Sequence, residues 1–240
     1  MEKSEKILEV SDLSVTFDGF TVLDNLSFSV LKGDALAVIG PNGAGKSVLF
    51  RSLMGLVPYK GKISWASDVK IGYVPQKLDV DRMLPLTTEE FLGYKAAGKN
   101  EVLEALKMVG IKTGEDNEHH LENHILKRRI GLLSGGEFQK ILIAWALIGK
   151  PDVLLFDEPT SGIDVGSEQT IYNLISNLQR ELGLTILLVS HDLNIVYRYA
   201  DNVLCINKQA VCFGKPDLVL KPDDLNALYG GEAGFYKHDH

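Results

Sequence analysis

The sequence predicts an α/β fold: an open sheet of buried strands with packed helices, an antiparallel strand layer at its start and an inserted helical segment. Apolar runs at 35–39, 153–156 and 185–189 are typical of buried strands. Over 13–17 and 26–30, apolar residues occupy every second position, which indicates half-buried antiparallel strands. Further strands are predicted at 62–65 and 70–74, where Pro75 ends the second.

Residues 40–47 form the motif G-x-x-x-x-G-K-[ST], between the strand 35–39 and an amphipathic helix over 48–54. Its glycines let the backbone curl so that N–H groups point at a polyphosphate, and the helix N-terminus adds positive charge. Lys46 offers a point charge for the β and γ oxygens, and Ser47 offers a hydroxyl to Mg²⁺. The motif predicts an ATP site in a P-loop NTPase (RecA-like) core, formed by Gly40, Pro41, Asn42, Gly43, Ala44, Gly45, Lys46, Ser47 and Val48.

From residue 86 to about 148 the pattern is helical. Thr87 and Glu90 have the spacing of a capping box at a helix start. A second helix is predicted over 101–109, with Gly110 just past its end, and the polar stretch 113–127 is expected to be a solvated connection.

Acidic residues follow the strand 153–156 directly. Open α/β sheets bind ligands beyond the carboxyl ends of their strands, so Asp157 and Glu158 are expected beside the phosphates. Asp157 is suited to the Mg²⁺ shell, and Glu158 to orienting and deprotonating water. After a helix over 167–182, the strand 185–189 ends at His191, which is expected to reach a terminal phosphate.

A second glycine-rich segment, Leu133-Ser134-Gly135-Gly136-Glu137, opens the helix 138–148. Its two glycines expose backbone N–H groups at a helix N-terminus, which makes a second anion site. Together with the loop 40–47, Gln76, the acidic pair and His191, this segment resembles the ATPase subunit of the ATP-binding-cassette superfamily over nearly the whole chain.

The resemblance implies roles for further residues. Phe17 would stack on the adenine, and Gln76 would touch Mg²⁺ and the attacking water while relaying nucleotide state to a membrane subunit. Residues 161–164 resemble the D-loop, with Asp164 at a dimer interface. ATP would be sandwiched in a head-to-tail homodimer between the loop 40–47 of one copy and Ser134, Gly135, Gly136 and Glu137 of the other.

The implied organisation is a single domain over 1–240. It comprises a nucleotide-binding core with its β-subdomain (1–85 and 149–215), a helical signature subdomain (86–148) and a C-terminal extension (216–240).

Glu137 departs from the glutamine that usually ends this signature. One interpretation is a capping box, in which Glu137 folds back to the backbone N–H of Ser134. The alternative is a carboxylate that faces the γ-phosphate and repels it. The capping role is preferred here.

The chain is similar to the ATPase subunits of bacterial zinc-uptake importers at 71–78, 84–87, 203–207 and 234–238, and also in the Glu137 variant of the segment 133–137. Zinc is therefore the expected transported ion, and manganese and iron importers are the alternatives. The resemblance implies a transmembrane permease as partner and, indirectly, a metal-binding extracytoplasmic protein.

Composition limits the partners and the location. A net charge of −7 provides no global positive field for nucleic acid, and no apolar run approaches the length of a membrane span. A peripheral protein at the cytoplasmic face of the membrane is expected, with Cys205 and Cys212 reduced. A soluble cassette ATPase acting on nucleic acid or ribosomes is the alternative from a different class, and the acidic balance disfavours it.

Histidines form two groups, His119 with His120 and His124, and His238 with His240. Both groups lie in polar or terminal stretches, where histidines are more often solvated than bound to metal. A regulatory zinc site there is the less favoured interpretation.

Overall fold

The computed structural model describes residues 5–96, 98–111, 122–161, 163 and 165–229. The chain divides into two compact units, residues 1–67 with 187–240 and residues 68–186. In chain order, the helices and strands are β1 (Lys6–Phe17), β2 (Phe20–Leu31), β3 (Ala35–Ile39), α1 (Lys46–Leu53), β4 (Lys60–Trp65), β5 (Ile71–Val74), α2 (Thr88–Gly93), α3 (Lys99–Met108), α4 (Glu122–Lys127), a 3₁₀ turn (Ile130–Leu132), α5 (Gly135–Leu147), β6 (Val153–Asp157), α6 (Val165–Leu182), β7 (Thr185–Val189), α7 (Leu193–Tyr199), β8 (Asn202–Asn207), β9 (Gln209–Gly214), α8 (Pro216–Val219) and α9 (Pro222–Tyr229).

In the first unit, β1 pairs antiparallel with both β2 and β4. Val10 lies opposite Phe28 and Val15 opposite Leu23, and these four side chains are buried because they share the inner face of the layer. The predicted antiparallel strand layer is confirmed.

The first unit also contains a sheet in the order β7-β3-β8-β9. β3 runs parallel to β8, and β9 returns antiparallel. All five residues of β3 are buried, as the apolar run predicts for a strand covered on both faces.

In the second unit the strand order is β5-β6-β7, and the boundary between the units falls within β7. β5 and β6 are parallel, with Val74 opposite Phe156. α6 buries Ile171, Ile175 and Leu178, one face of the predicted helix, whereas Leu182 at its end is 45% exposed.

The predicted helix signals are present in this unit. Thr87 caps α2 in a reciprocal capping box with Glu90. α3 begins at Lys99, two residues before the predicted start. At its end Gly110 has φ 71°, and the amide of Ile111 donates to Leu106 O over 3.0 Å, which closes the helix as a Schellman turn.

The expectation of reduced cysteines is wrong for this structure, in which Cys205 and Cys212 form a disulfide. The two residues are directly opposite each other on β8 and β9, and their Cα atoms are 4.8 Å apart. That separation lies within the range that a disulfide spans. The register of β8 and β9 therefore brings the two cysteines together, which the argument from the cellular compartment did not take into account.

Within the described part of the chain, no helix is both long enough and apolar enough to cross a membrane.

Candidate nucleotide-binding site

The phosphate loop between β3 and α1 is built on glycines with positive φ. Gly40, Gly43 and Gly45 have φ 156°, 79° and 98°. A Cβ on Gly45 would lie 2.5 Å from Leu23 Cδ2, and one on Gly40 would clash with the carbonyl oxygen of Ile206. Glycine is therefore required at 40 and 45 by both conformation and space.

Lys46 lies over this loop. Its side chain is buried, and Nζ donates to the carbonyl oxygens of Gly40 at 2.8 Å and Pro41 at 3.1 Å. The ammonium is thus held against the curled backbone, where a polyphosphate anion would meet it. Ser47 follows in the first turn of α1, which contains no acidic residue to oppose an anion.

The hairpin between β8 and β9 supports the loop from behind. The amide of Lys208 donates to Ala44 O over 3.3 Å, and the carbonyl of Lys208 accepts from the amide of Asp24. Sequence reasoning missed this support, because residues more than 160 positions away carry no local signal for it.

His191 lies at the end of β7 on the loop's side of the sheet, since the amide of Ser190 donates to Val38 O over 3.2 Å. Hydrogen bonds of the residues on both sides of His191 fix the turn that contains it. The Asp192 amide donates to Ser190 Oγ, and the Asp192 carboxylate caps α7 by accepting from the amide of Asn194 over 2.8 Å. His191 is exposed just beyond the carboxyl end of β7.

Phe17 ends β1 and is 38% exposed, so its ring is accessible for stacking. Phe20, its partner across the hairpin, is 78% exposed, and no sequence motif singled it out. The adenine contact of Phe17 stays a prediction.

In the second unit, β6 ends at the two predicted carboxylates. Asp157 is buried, and Tyr73 Oη lies 3.4 Å from its Oδ2. Gln76 Nε2 donates to Glu158 Oε2 over 2.7 Å, so the structure brings these two predicted residues together. Glu158 has φ 48°, an uncommon conformation for a residue with a side chain and one that is concentrated at functional sites.

The predicted Mg²⁺ donors are chemically suited to that ion. The amide nitrogen of Gln76 is engaged with Glu158, which leaves the amide oxygen as a possible ligand. The Asp157 carboxylate and the Ser47 hydroxyl likewise offer oxygen atoms, so each of the three predicted residues has the kind of ligand atom that a hard cation prefers. Among the described residues, no group of three His, Cys, Asp or Glu side chains could hold a metal ion.

Ser134 caps the signature helix α5, and the predicted capping box is confirmed. The Ser134 amide donates to Glu137 Oε2 over 2.8 Å, and the Glu137 amide donates to Ser134 Oγ over 3.3 Å. Gly135 and Gly136 form the first turn, where backbone N–H groups have no partner within the helix.

Arg128, which sequence reasoning did not identify, also binds Glu137, with Nη1 2.8 Å from Oε1. Burial raises the pKa of the Glu137 carboxyl, but the hydrogen bonds from Ser134 and the Arg128 charge outweigh it, so the net pKa is lowered. The carboxylate is therefore ionised and engaged with groups of its own chain.

Several predicted residues lie outside the described residues. These are Gly162 and Asp164 of the D-loop segment, and His119, His120, His238 and His240, together with the side chain of His124. Their roles stay predictions.

The profile of the ABC transporter family matches residues 23–161. The zinc import ATP-binding protein ZnuC of Yersinia enterocolitica is 40% identical over 98% of this chain and 91% of its own length. A solved ABC transporter of a metal-chelate type, in an inward-facing conformation, gives a TM-score of 0.80 at 29% identity, covering 93% of this chain and 88% of that one. The solved structure of an ATP-binding cassette of an ABC transporter, in its ADP conformation, gives a TM-score of 0.74 at 25% identity. The match covers 92% of this chain and 97% of that one.

The fold and the two glycine-rich segments define an α/β P-loop ATPase. The chain belongs to the ABC transporter family, and within that family it corresponds to the ATPase subunit.

Proposed function

We propose that this chain is the ATP-hydrolysing, energy-coupling subunit of a bacterial importer for a divalent metal, and that the metal is zinc. The observation that supports it most is a phosphate loop and a capped signature helix in a chain 40% identical, over 98% of its length, to a zinc import ATP-binding protein.

The proposed reaction is hydrolysis of ATP to ADP and phosphate. The amides of 40–47 and the Lys46 ammonium hold the polyphosphate, and Phe17 stacks on the adenine. Ser47, Gln76 and Asp157 would hold Mg²⁺, which would neutralise charge on the β and γ oxygens when bound. Glu158 takes a proton from the attacking water, and His191 donates to the γ-phosphate.

Two copies act together in this proposal. Ser134, Gly135 and Gly136 of one copy bind the γ-phosphate held by the loop of the other, with Glu137 capping the helix and Asp164 near the dimer interface. Closure on ATP and reopening after hydrolysis would drive a transmembrane permease, to which the chain binds at the cytoplasmic face of the membrane. A metal-binding extracytoplasmic protein would deliver the ion to the permease, and nucleic acid has no part.

We propose that the core (1–85 and 149–215) binds the nucleotide and that 86–148 carries the signature. Residues 216–240 would be an extension.

Growth of a strain lacking this gene tests the transported ion. We expect growth to fail in chelated medium, to recover with added zinc but not manganese, and to recover with the parental gene but not with Glu158→Gln. Recovery with manganese or iron alone would reject zinc and favour the alternative importers. If the strain grew normally in chelated medium but showed a defect in ribosome function, the importer function itself would be rejected.

A further inference from the structure

Arg128 holds the signature segment at two points. Its Nη1 donates to Glu137 Oε1 and its Nη2 donates to the carbonyl oxygen of Leu132, both over 2.8 Å. The other carboxylate oxygen of Glu137 accepts from the Ser134 amide. Both carboxylate oxygens therefore bind groups of the same chain, and the guanidinium balances the negative charge beside Ser134.

The position of Arg128 is itself fixed by the start of α2. Its carbonyl oxygen accepts from Thr88 N at 2.9 Å and from Thr88 Oγ1 at 3.1 Å, and Thr88 is fully buried. The next residue, Arg129, pairs with Thr87 in an isolated antiparallel bridge. Because the backbone of Arg128 is anchored and its guanidinium is planar, the side chain loses little conformational entropy for each hydrogen bond that it forms. It can therefore orient the groups that it binds.

Negative charge close to a helix start weakens an anion site there unless that charge is neutralised. Glu137 is within the first turn of α5, the same turn whose free amides would meet a phosphate. A partly buried carboxylate without a counter-charge would oppose a γ-phosphate there, whereas the pair with Arg128 is neutral overall.

We propose that Arg128 is a positioning residue for ATP, which neutralises Glu137 and fixes the start of α5 so that the amides after Ser134 can bind phosphate. The inference rests on the proposed function, because it assigns the signature segment to the nucleotide of a second copy. In this role Arg128 acts through Glu137 and the start of α5, and it is not assigned a contact with ATP or with the attacking water.

The test compares Arg128→Gln in two backgrounds, one with Glu137 and one with Glu137→Gln, both in full-length chains that also carry Glu158→Gln to stop hydrolysis. Analytical ultracentrifugation measures the ATP concentration at half-maximal dimer formation. With Glu137 present, Arg128→Gln should raise that concentration about tenfold, as expected for an unpaired, partly buried charge. In the Glu137→Gln background the increase should be below about threefold, because there is no charge to neutralise.

Two controls separate the outcomes. Arg129→Gln removes the same charge from the adjacent exposed arginine and should leave dimer formation unchanged. ATP binding to the monomer should be unaffected by Arg128→Gln, since the loop 40–47 is intact.

Equal losses in both backgrounds, or a lower melting temperature that accounts for the whole effect, would reduce Arg128 to a structural residue and overturn the inference. If the parental Glu158→Gln chain does not dimerise with ATP, the proposed function fails instead.

Discussion

Single residues carry the proposed chemistry in this fold, and each is held by identifiable contacts. Glu158 adopts a left-handed backbone conformation and accepts from Gln76, while Asp157 is buried one residue earlier. The chain thereby presents one enclosed carboxylate and one accessible carboxylate in succession, which suits them to a metal ligand and a base.

Glu158→Gln should lower kcat for ATP hydrolysis by at least about 100-fold, because the amide cannot take the proton from water. ATP binding should persist, since the residues of the phosphate loop are unchanged. Steady-state phosphate release measures kcat, and equilibrium dialysis measures ATP binding. Glu181→Gln, the same change at an exposed position of α6, serves as the matched control. Turnover near the parental rate would show that another group is the base.

Lys46→Ala should instead weaken nucleotide binding. A charged hydrogen bond contributes about 1.5–3 kcal/mol, so the Kd for ATP should rise between about 10-fold and 150-fold. Calorimetric titration checks this, with the exposed Lys32→Ala as the control for loss of charge. A Kd within twofold of the parental value would place the phosphate elsewhere.

At the scale of elements, the capping box of α5 links local stability to pH. The pKa of Glu137 is lowered from its ordinary value of 4.5, so the folded state binds its proton less readily than the unfolded chain. Its contribution to stability is therefore present above the unfolded pKa and is lost as pH falls through the folded pKa.

Glu137→Gln should accordingly reduce the free energy of unfolding at pH 7 by about 1 kcal/mol or less, since the Arg128 pair is partly exposed. The difference from the parental chain should shrink as pH falls below about 4.5 and vanish once Glu137 is protonated in the folded state as well. Urea unfolding of both chains across this range measures it. A difference that stays constant with pH would mean that the charge of Glu137 contributes nothing.

Local signals explain what the sequence predicted well. The phosphate loop and both capping boxes depend on residues within eight positions of one another, so their spacing identifies them. By contrast, Arg128 meets Glu137 nine residues away across the 3₁₀ turn Ile130–Leu132, and Gly40 meets Ile206 through the pairing of β3 with β8. The disulfide likewise follows from the register of β8 and β9, which no spacing rule gives.

At the scale of the whole molecule, the chain carries two glycine-rich segments to which we assign phosphate, the loop before α1 and the capped first turn of α5. We propose that one ATP is bound by the loop of one copy and the signature of another. Two substitutions separate the contributions of the loop and of the signature: Lys46→Ala impairs the loop, and Gly135→Asp impairs the signature. Asp in the first turn favours the helix while its charge opposes phosphate, so the fold should be kept.

The most direct measurement is ATP retained by a mixture of these two variants after gel filtration, each also carrying Glu158→Gln. A mixed dimer pairs the intact loop of the Gly135→Asp chain with the intact signature of the Lys46→Ala chain. We predict that neither variant alone retains ATP and that the mixture retains one ATP per mixed dimer. A mixture that retains no more than the separate variants would contradict the shared site.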